Sequence, residues 1–274
     1  MRLREQTVQQ LGDRVRHLHQ AVDLTFPEFT RCVRGLDTEL ATSILSRYPT
    51  AAALRRASAK KLAMLCFDGR RRIGAKLALT LIRAAQTSVG QHHDDPYQSQ
   101  VRYACQDIVT LRQRARYLER DMERRLAAHE VGKLLTTIQG VGPLTAACII
   151  GETGDPARFR TAAALASYVG VVPWLHQSGK RRFSGRVAIP LGNARLRRAL
   201  WMPVLVAVRL NPWLRLLLAP APSRKAAKVA MIACMHKLLA AVYSVAKNRQ
   251  PFVARISPAI DAPVSKADSH AVTP

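Results

Sequence analysis

Between residues 101 and 126 the apolar side chains Val101, Ala104, Ile108, Leu111, Ala115, Leu118 and Met122 recur every three or four positions, with Arg and Glu between them. That period puts them on one stripe of a single long α-helix, and such a helix draws its stability from whatever covers the stripe. The cover is either a second helix in a coiled coil or the rest of the same domain. Alternating β-branched runs are scarce elsewhere, so the chain reads as mainly α.

The same period recurs at Val8, Leu11, Val15, Leu18 and Val22, which predicts an amphipathic helix over 8–24 that Phe26-Pro27 ends. Short helices are expected over Glu39–Arg47 and 58–67, the second with Ser58 as N-cap, and another over 73–85. Gly90-Gln91-His92-His93-Asp94-Asp95-Pro96 reads as a linker; its His and Asp residues are of metal-ligand type, but sequence neighbours do not converge on one ion. Asp107, Glu119, Asp121 and Glu123 on the long helix are expected to pair with Arg neighbours. The domain reading is a helical region at 1–95, a coiled-coil helix at 96–130, a C-terminal domain at 131–253 and a Pro-, Ala- and Ser-rich tail at 254–274, expected to be disordered.

Charge narrows the partner. The 274 residues include 43 Lys+Arg against 18 Asp+Glu, a formal charge of +25. At 48% hydrophobic and 22% charged, the chain is too apolar for a disordered basic tail and reads as a folded polyanion binder. The excess is concentrated: 156–260 holds 18 Lys+Arg and no carboxylate, which is where a phosphate backbone is expected. The five cysteines are scattered without a C-x-x-C pair, so they read as small buried hydrophobes in a reducing compartment, not as a zinc or redox motif. The N-terminus lacks the apolar run of a signal peptide, and the two most apolar stretches, 200–218 and 229–246, are interrupted by Pro203, Arg209, Pro212 and Arg215 or by His236 and Lys237. Buried helices are expected there, with no membrane partner and a cytoplasmic, nucleoid-associated location.

Three segments carry chemistry. In Ile138-Gln139-Gly140-Val141-Gly142-Pro143-Leu144-Thr145, two glycines allow close backbone approach and Pro143 opens a helix whose N-terminus favours a phosphate. This is the pattern of a helix-hairpin-helix, with Gly140, Gly142 and Thr145 at the DNA; a plain tight turn between helices is the alternative. In His176-Gln177-Ser178-Gly179-Lys180-Arg181-Arg182-Phe183-Ser184-Gly185-Arg186, a turn hydroxyl is surrounded by cations that favour its deprotonation and offset the charge of a phosphorane. A solvated loop is the plain alternative. In Gly192-Asn193-Ala194-Arg195-Leu196-Arg197-Arg198, Asn193 caps a helix whose first turn is cationic against its own dipole, so an external anion is expected at Arg195 and Arg198, with a merely solvated basic face as the alternative.

Together with Leu165-Ala166-Ser167-Tyr168-Val169-Gly170-Val171-Val172-Pro173 and Lys225-Ala226-Ala227-Lys228-Val229-Ala230, these segments resemble, in order, the insertion-sequence transposases of the 110/116/902 group, the Piv-like DEDD recombinases. The resemblance runs from the first residues to about Val253. It implies a C-terminal transposase domain containing a helix-hairpin-helix and a small β-hairpin, with Ser178 as nucleophile and Lys180, Arg181, Arg182 and Arg186 beside phosphate. It further implies DNA as substrate, a structured guide RNA, and a synapse of several protomers or pairing with a full-length transposase through the coiled coil. Mg2+ is expected in the family through an N-terminal RuvC-like domain. Residues 1–24 resemble the helix that closes that domain, so this chain is expected to bind no metal itself and to be inactive alone; a non-catalytic fragment that modulates transposition is the alternative. Pro190 stands where relatives usually carry a basic residue.

Overall fold

The computed structural model describes residues 1–172, 176–178, 181–183, 192–210 and 224–253, with 176–178, 181–183 and 224–229 described by their backbone alone. The expected tail at 254–274 lies outside the described residues. The chain divides into two compact units, Met1–Met122 and Glu123–Pro274.

The first unit begins with α1 (Arg2–Thr25) and continues through α2 (Phe29–Cys32), α3 (Glu39–Arg47), α4 (Ala51–Arg55), α5 (Ala59–Ala63) and α6 (Ala75–Gln86). α7 (Asp95–Ala127) starts in this unit and ends in the next. Thr38 and Thr50 cap α3 and α4 by accepting the amides of Ala41 and Ala53, satisfying donors that a helix start leaves open. Ser58 stands at the N-cap position of α5 but makes no side-chain cap bond. Phe26, immediately after α1, meets Phe29 edge to face at 5.8 Å, and both rings are fully buried with Leu18, Ile44, Leu54, Leu81 and Ile108. The stripe on α1 is buried only toward its C-terminal end, since Val8 is exposed.

Three expectations change here. The helix foreseen over 58–67 stops at Ala63, and β1 (Cys66–Phe67) pairs antiparallel with β2 (Arg71–Arg72). The reason is Asp68-Gly69, both with positive φ (53° and 77°), a pair that favours a hairpin turn over a continuing helix. Asp68 Oδ1 accepts the amides of Arg70 and Arg71, which fixes the turn. The linker is shorter than expected, because Asp95 and Pro96 already form the first turn of α7. The cysteines are not uniformly buried: Cys105, Cys148 and Cys234 are, Cys32 is half-buried and Cys66 is exposed.

The first part of the stripe on α7 finds cover inside its own unit, while Leu111, Leu118 and Met122 are half-buried. Val101, Ala104, Cys105 and Ile108 belong to the same core as α1 and α3. Arg4 reaches Glu119 at 2.6 Å, Arg14 reaches Asp107 at 3.1 Å, and Arg116 reaches Glu39 at 2.8 Å, so two carboxylates of α7 pair with arginines of α1, and an arginine of α7 with α3.

The second unit contains α8 (Glu130–Leu135), α9 (Pro143–Thr153), a 3-10 turn (Pro156–Arg158), α10 (Ala162–Val169), the hairpin β3 (His176–Ser178) and β4 (Arg181–Phe183), α11 (Ala194–Ala199), α12 (Trp201–Leu210) and α13 (Arg224–Asn248). α13 is the central helix: Cys234, Met235, Leu238, Leu239, Val242 and Val245 are buried, and the helix packs against α8, α10, α12 and the 3-10 turn. Its segment Ala230–Asn248 is long and apolar enough to cross a membrane by composition alone, but half of that window is buried within the unit. A core helix shows the same composition.

Candidate nucleic-acid interface

The predicted hairpin is a turn between two packed helices, α8 and α9. Its glycines do different work. Gly140 (φ 93°) faces α12 so closely that a Cβ there would lie 2.6 Å from the Pro203 carbonyl oxygen and 2.8 Å from the Ala207 amide. The close approach that the missing side chain allows on this face is to protein backbone. Gly142 is exposed with nothing within 4 Å of its Cβ position. It is the N-cap of α9, with Pro143 at the helix start. Pro143 has no N–H, so the amides of Leu144 and Thr145 are the donors at this end, and Thr145 itself is half-buried. Beside it lies a cavity of about 360 Å³ lined by Glu123, Leu126, Ala127, Lys133, Thr136 and Pro143. An open helix end with an exposed lysine near it is a favourable place for a phosphate.

Ser178 ends β3 opposite Arg181, and Gln177 is opposite Arg182, so the backbone ladder makes Ser178 and Arg181 a cross-strand pair, with Arg182 at the alternate register position. Lys180 and Arg186 lie outside the described residues.

The third motif closes on α9 and α10. Asn193 donates its backbone N–H to the Tyr168 carbonyl at 2.8 Å, and its side chain caps α11 by accepting the Leu196 amide at 2.9 Å. Asn193 Nδ2 also donates to Glu152 Oε2 at 2.8 Å, while Arg195 pairs with Glu152 Oε1 at 3.3 Å. Tyr168 donates its hydroxyl to the Glu152 carbonyl at 2.8 Å. Arg195, expected at phosphate, holds a carboxylate that is only 11% exposed. Arg197 donates to the Val169 carbonyl at 2.8 Å. Arg198 also engages a partner within the protein.

Nothing in the sequence singles out Glu152, which sits unmarked in Gly151-Glu152-Thr153. The one signal is that it and Asp155 are the last carboxylates before the acid-free stretch. Asp155 accepts the Ala157 amide at 2.9 Å and pairs with Arg249 at 2.5 Å. Both acids are therefore engaged by cations and hydrogen-bond donors of the protein. Among the described residues no group of three or more His, Cys, Asp or Glu is placed to hold a metal ion, so these residues do not fit a divalent-ion site.

Comparison with known proteins follows the same segment. Residues 132–219 match the model of the transposase IS116/IS110/IS902 family. The chain is 30% identical over 178 residues to the insertion element IS110 uncharacterized 43.6 kDa protein of Streptomyces coelicolor, covering 65% of this chain and 44% of that one. It is 34% identical over 125 residues to the pilin gene-inverting protein of Moraxella bovis, covering 45% and 39%. It is 27% identical over 221 residues to the insertion element IS116 uncharacterized 44.8 kDa protein of Streptomyces clavuligerus, covering 78% and 52%. The chain thus spans about half the length, or less, of these relatives.

Proposed function

From a chain that belongs, through residues 132–219, to the IS116/IS110/IS902 transposase family, we propose that the second unit grips DNA and that Ser178 is the nucleophile of strand exchange. The observation that carries the reading is that the family match contains the α8–α9 turn, Ser178 and Asn193 in one unit, whose stretch 156–260 has no carboxylate. Polyanion binding follows from the charge, and the open start of α9 with Lys133 supplies a fixed place for one phosphate.

In the proposed step Ser178 Oγ attacks phosphorus in a DNA strand. A Ser–phosphate ester forms, and the deoxyribose oxygen of the broken P–O bond leaves with a proton. A second DNA hydroxyl reverses the step, so phosphodiester bonds are conserved and no oxidant or reductant enters. Arg181 and Arg182 offset the charge that develops on the phosphorane. The synapse is proposed to assemble in the cytoplasm from DNA, a structured RNA and further copies of a family protein.

Recombination between two plasmid-borne sites, scored with trapping of a protein–DNA adduct, tests this. Ser178→Ala is expected to abolish adduct and recombinants while leaving DNA affinity within about twofold, since a hydroxyl contributes little to a salt-dependent grip. Adduct formation by Ser178→Ala overturns the reading. A nucleic-acid-binding modulator would instead alter recombination by a co-expressed family transposase to the same extent whether or not the chain carries the Ser178→Ala substitution.

A further inference from the structure

The first unit contains a second polar cleft, outside the segment of the family match. About 750 Å³ in volume, it opens between α3, the β1–β2 turn and α7, and its lining includes Ser43, Asp68, Arg70, Arg71, Arg112 and Arg116. Four guanidinium groups meet only two carboxylates there, Glu39 and Asp68.

Both carboxylates are already engaged. Glu39 Oε1 accepts Arg116 at 2.8 Å and stands 3.9 Å from Arg112 Nη1, so one oxygen serves two cations. Asp68 holds the turn through the amides of Arg70 and Arg71, with Arg71 Nε at 3.6 Å. Arg112 is the telling residue. Its side chain is only 14% exposed, and its Nη2 is buried without a hydrogen-bond partner. A buried guanidinium N–H without an acceptor is unfavourable, and the cation that bears it lines the cleft. Burial lowers the Arg112 pKa; Glu39 and Asp37 act against this, and the neighbouring Arg116 acts with it. Arg70 and Arg71 are exposed at the rim on a turn fixed by Asp68, so further donors are preorganised around the mouth.

We propose that this cleft is a phosphate subsite that takes a backbone phosphate of nucleic acid, with the Arg112 guanidinium as the inner cation and Arg70 and Arg116 completing the shell. Guanidinium forks match phosphate oxygens in geometry as well as charge. The assignment to phosphate stands on the cleft; the assignment to nucleic acid rests on the reading that this chain acts on DNA.

The test uses the full chain, with Arg112→Gln and, because the inner site affects packing, Arg70→Gln at the exposed rim. Inorganic phosphate is compared with chloride at matched ionic strength in thermal melting, and a labelled duplex is titrated across a salt series. Phosphate is expected to raise the melting temperature of the unsubstituted chain but not of Arg112→Gln. Each variant is expected to weaken duplex binding about tenfold and to lower the salt slope by about one. Equal phosphate shifts in both proteins, or unchanged affinity and slope in both variants, overturn the proposal. A phosphate shift that needs Arg112 while duplex binding does not also overturns it, because the source would then be a free phosphate compound. The Arg181→Ala/Arg182→Ala double variant keeps the two readings apart: its failure to weaken binding counts against the DNA grip of the second unit and leaves the Arg112 result standing.

Discussion

The backbone of Gly192 rests directly on that of Gly170: a Cβ at Gly192 would lie 2.8 Å from the Gly170 amide nitrogen and 2.9 Å from its Cα. Gly170 ends α10 in the left-handed conformation, and Gly192 precedes the α11 cap with φ 102°. Two segments 22 residues apart in sequence therefore meet with no room for a side chain on Gly192, and the hairpin bearing Ser178 lies in sequence between them.

Gly192→Ala is expected to cost about 2–4 kcal/mol, combining positive-φ strain with overpacking. Gly140→Ala falls in the same range, since its Cβ would strike the α12 backbone. Gly142→Ala meets open space at φ −79° and is expected to cost about 1 kcal/mol or less. Urea denaturation of the three variants checks the order; a Gly140→Ala protein as stable as Gly142→Ala would show that the α12 contact is not rigid.

Removing Glu152 leaves Asn193 Nδ2 and Arg195 without their shared acceptor. Glu152→Ala is expected to destabilise the second unit by about 1–2 kcal/mol, discounted because Arg195 is one-third exposed. Arg195→Ala should lower stability in step with any loss of DNA affinity, whereas a variant at an arginine that meets DNA alone would lower affinity only. Paired melting and binding measurements separate the two.

Most of the fold is legible in the sequence because helices announce themselves through apolar period and caps. Glu39–Arg47 is readable to the residue, and Asn193 as a cap follows from its position before Ala194. The β1–β2 turn escapes because 58–67 has a helical composition, and only Asp68-Gly69 reveals the reversal. In the candidate site, Gly140 and Gly142 look equivalent in sequence. What separates them is α12, more than 60 residues later, and no local pattern shows which glycine a distant helix will cover. The Arg195 pairing is hidden for the same reason: its carboxylate partner is brought in from α9.

Because Ile108 of α7 is fully buried with α1 and α3 residues, its role is internal to the first unit. Ile108→Ala is expected to cost about 2–5 kcal/mol. The denaturation midpoint should be independent of protein concentration, which a stripe sealed only by a second copy would not allow.

Burial pushes the Cys105 thiol from 9.0 to about 12. The unfolded chain releases this proton near pH 9, while the folded protein holds it until about pH 12. The folded state thus binds more protons across that window, and the thiol's contribution to stability is full below pH 9 and declines progressively as pH rises toward 12. Cys105→Ala should remove that part of the alkaline decline while lowering stability at neutral pH through the lost packing. Thiol labelling under native conditions supplies the companion readout: exposed Cys66 is expected to react first and Cys105 only on unfolding, since a thiol must be both accessible and ionised to attack the reagent. Labelling of Cys105 at the rate of Cys66 in the folded protein would mean that the contact between α7 and α3 opens far more often than this core allows.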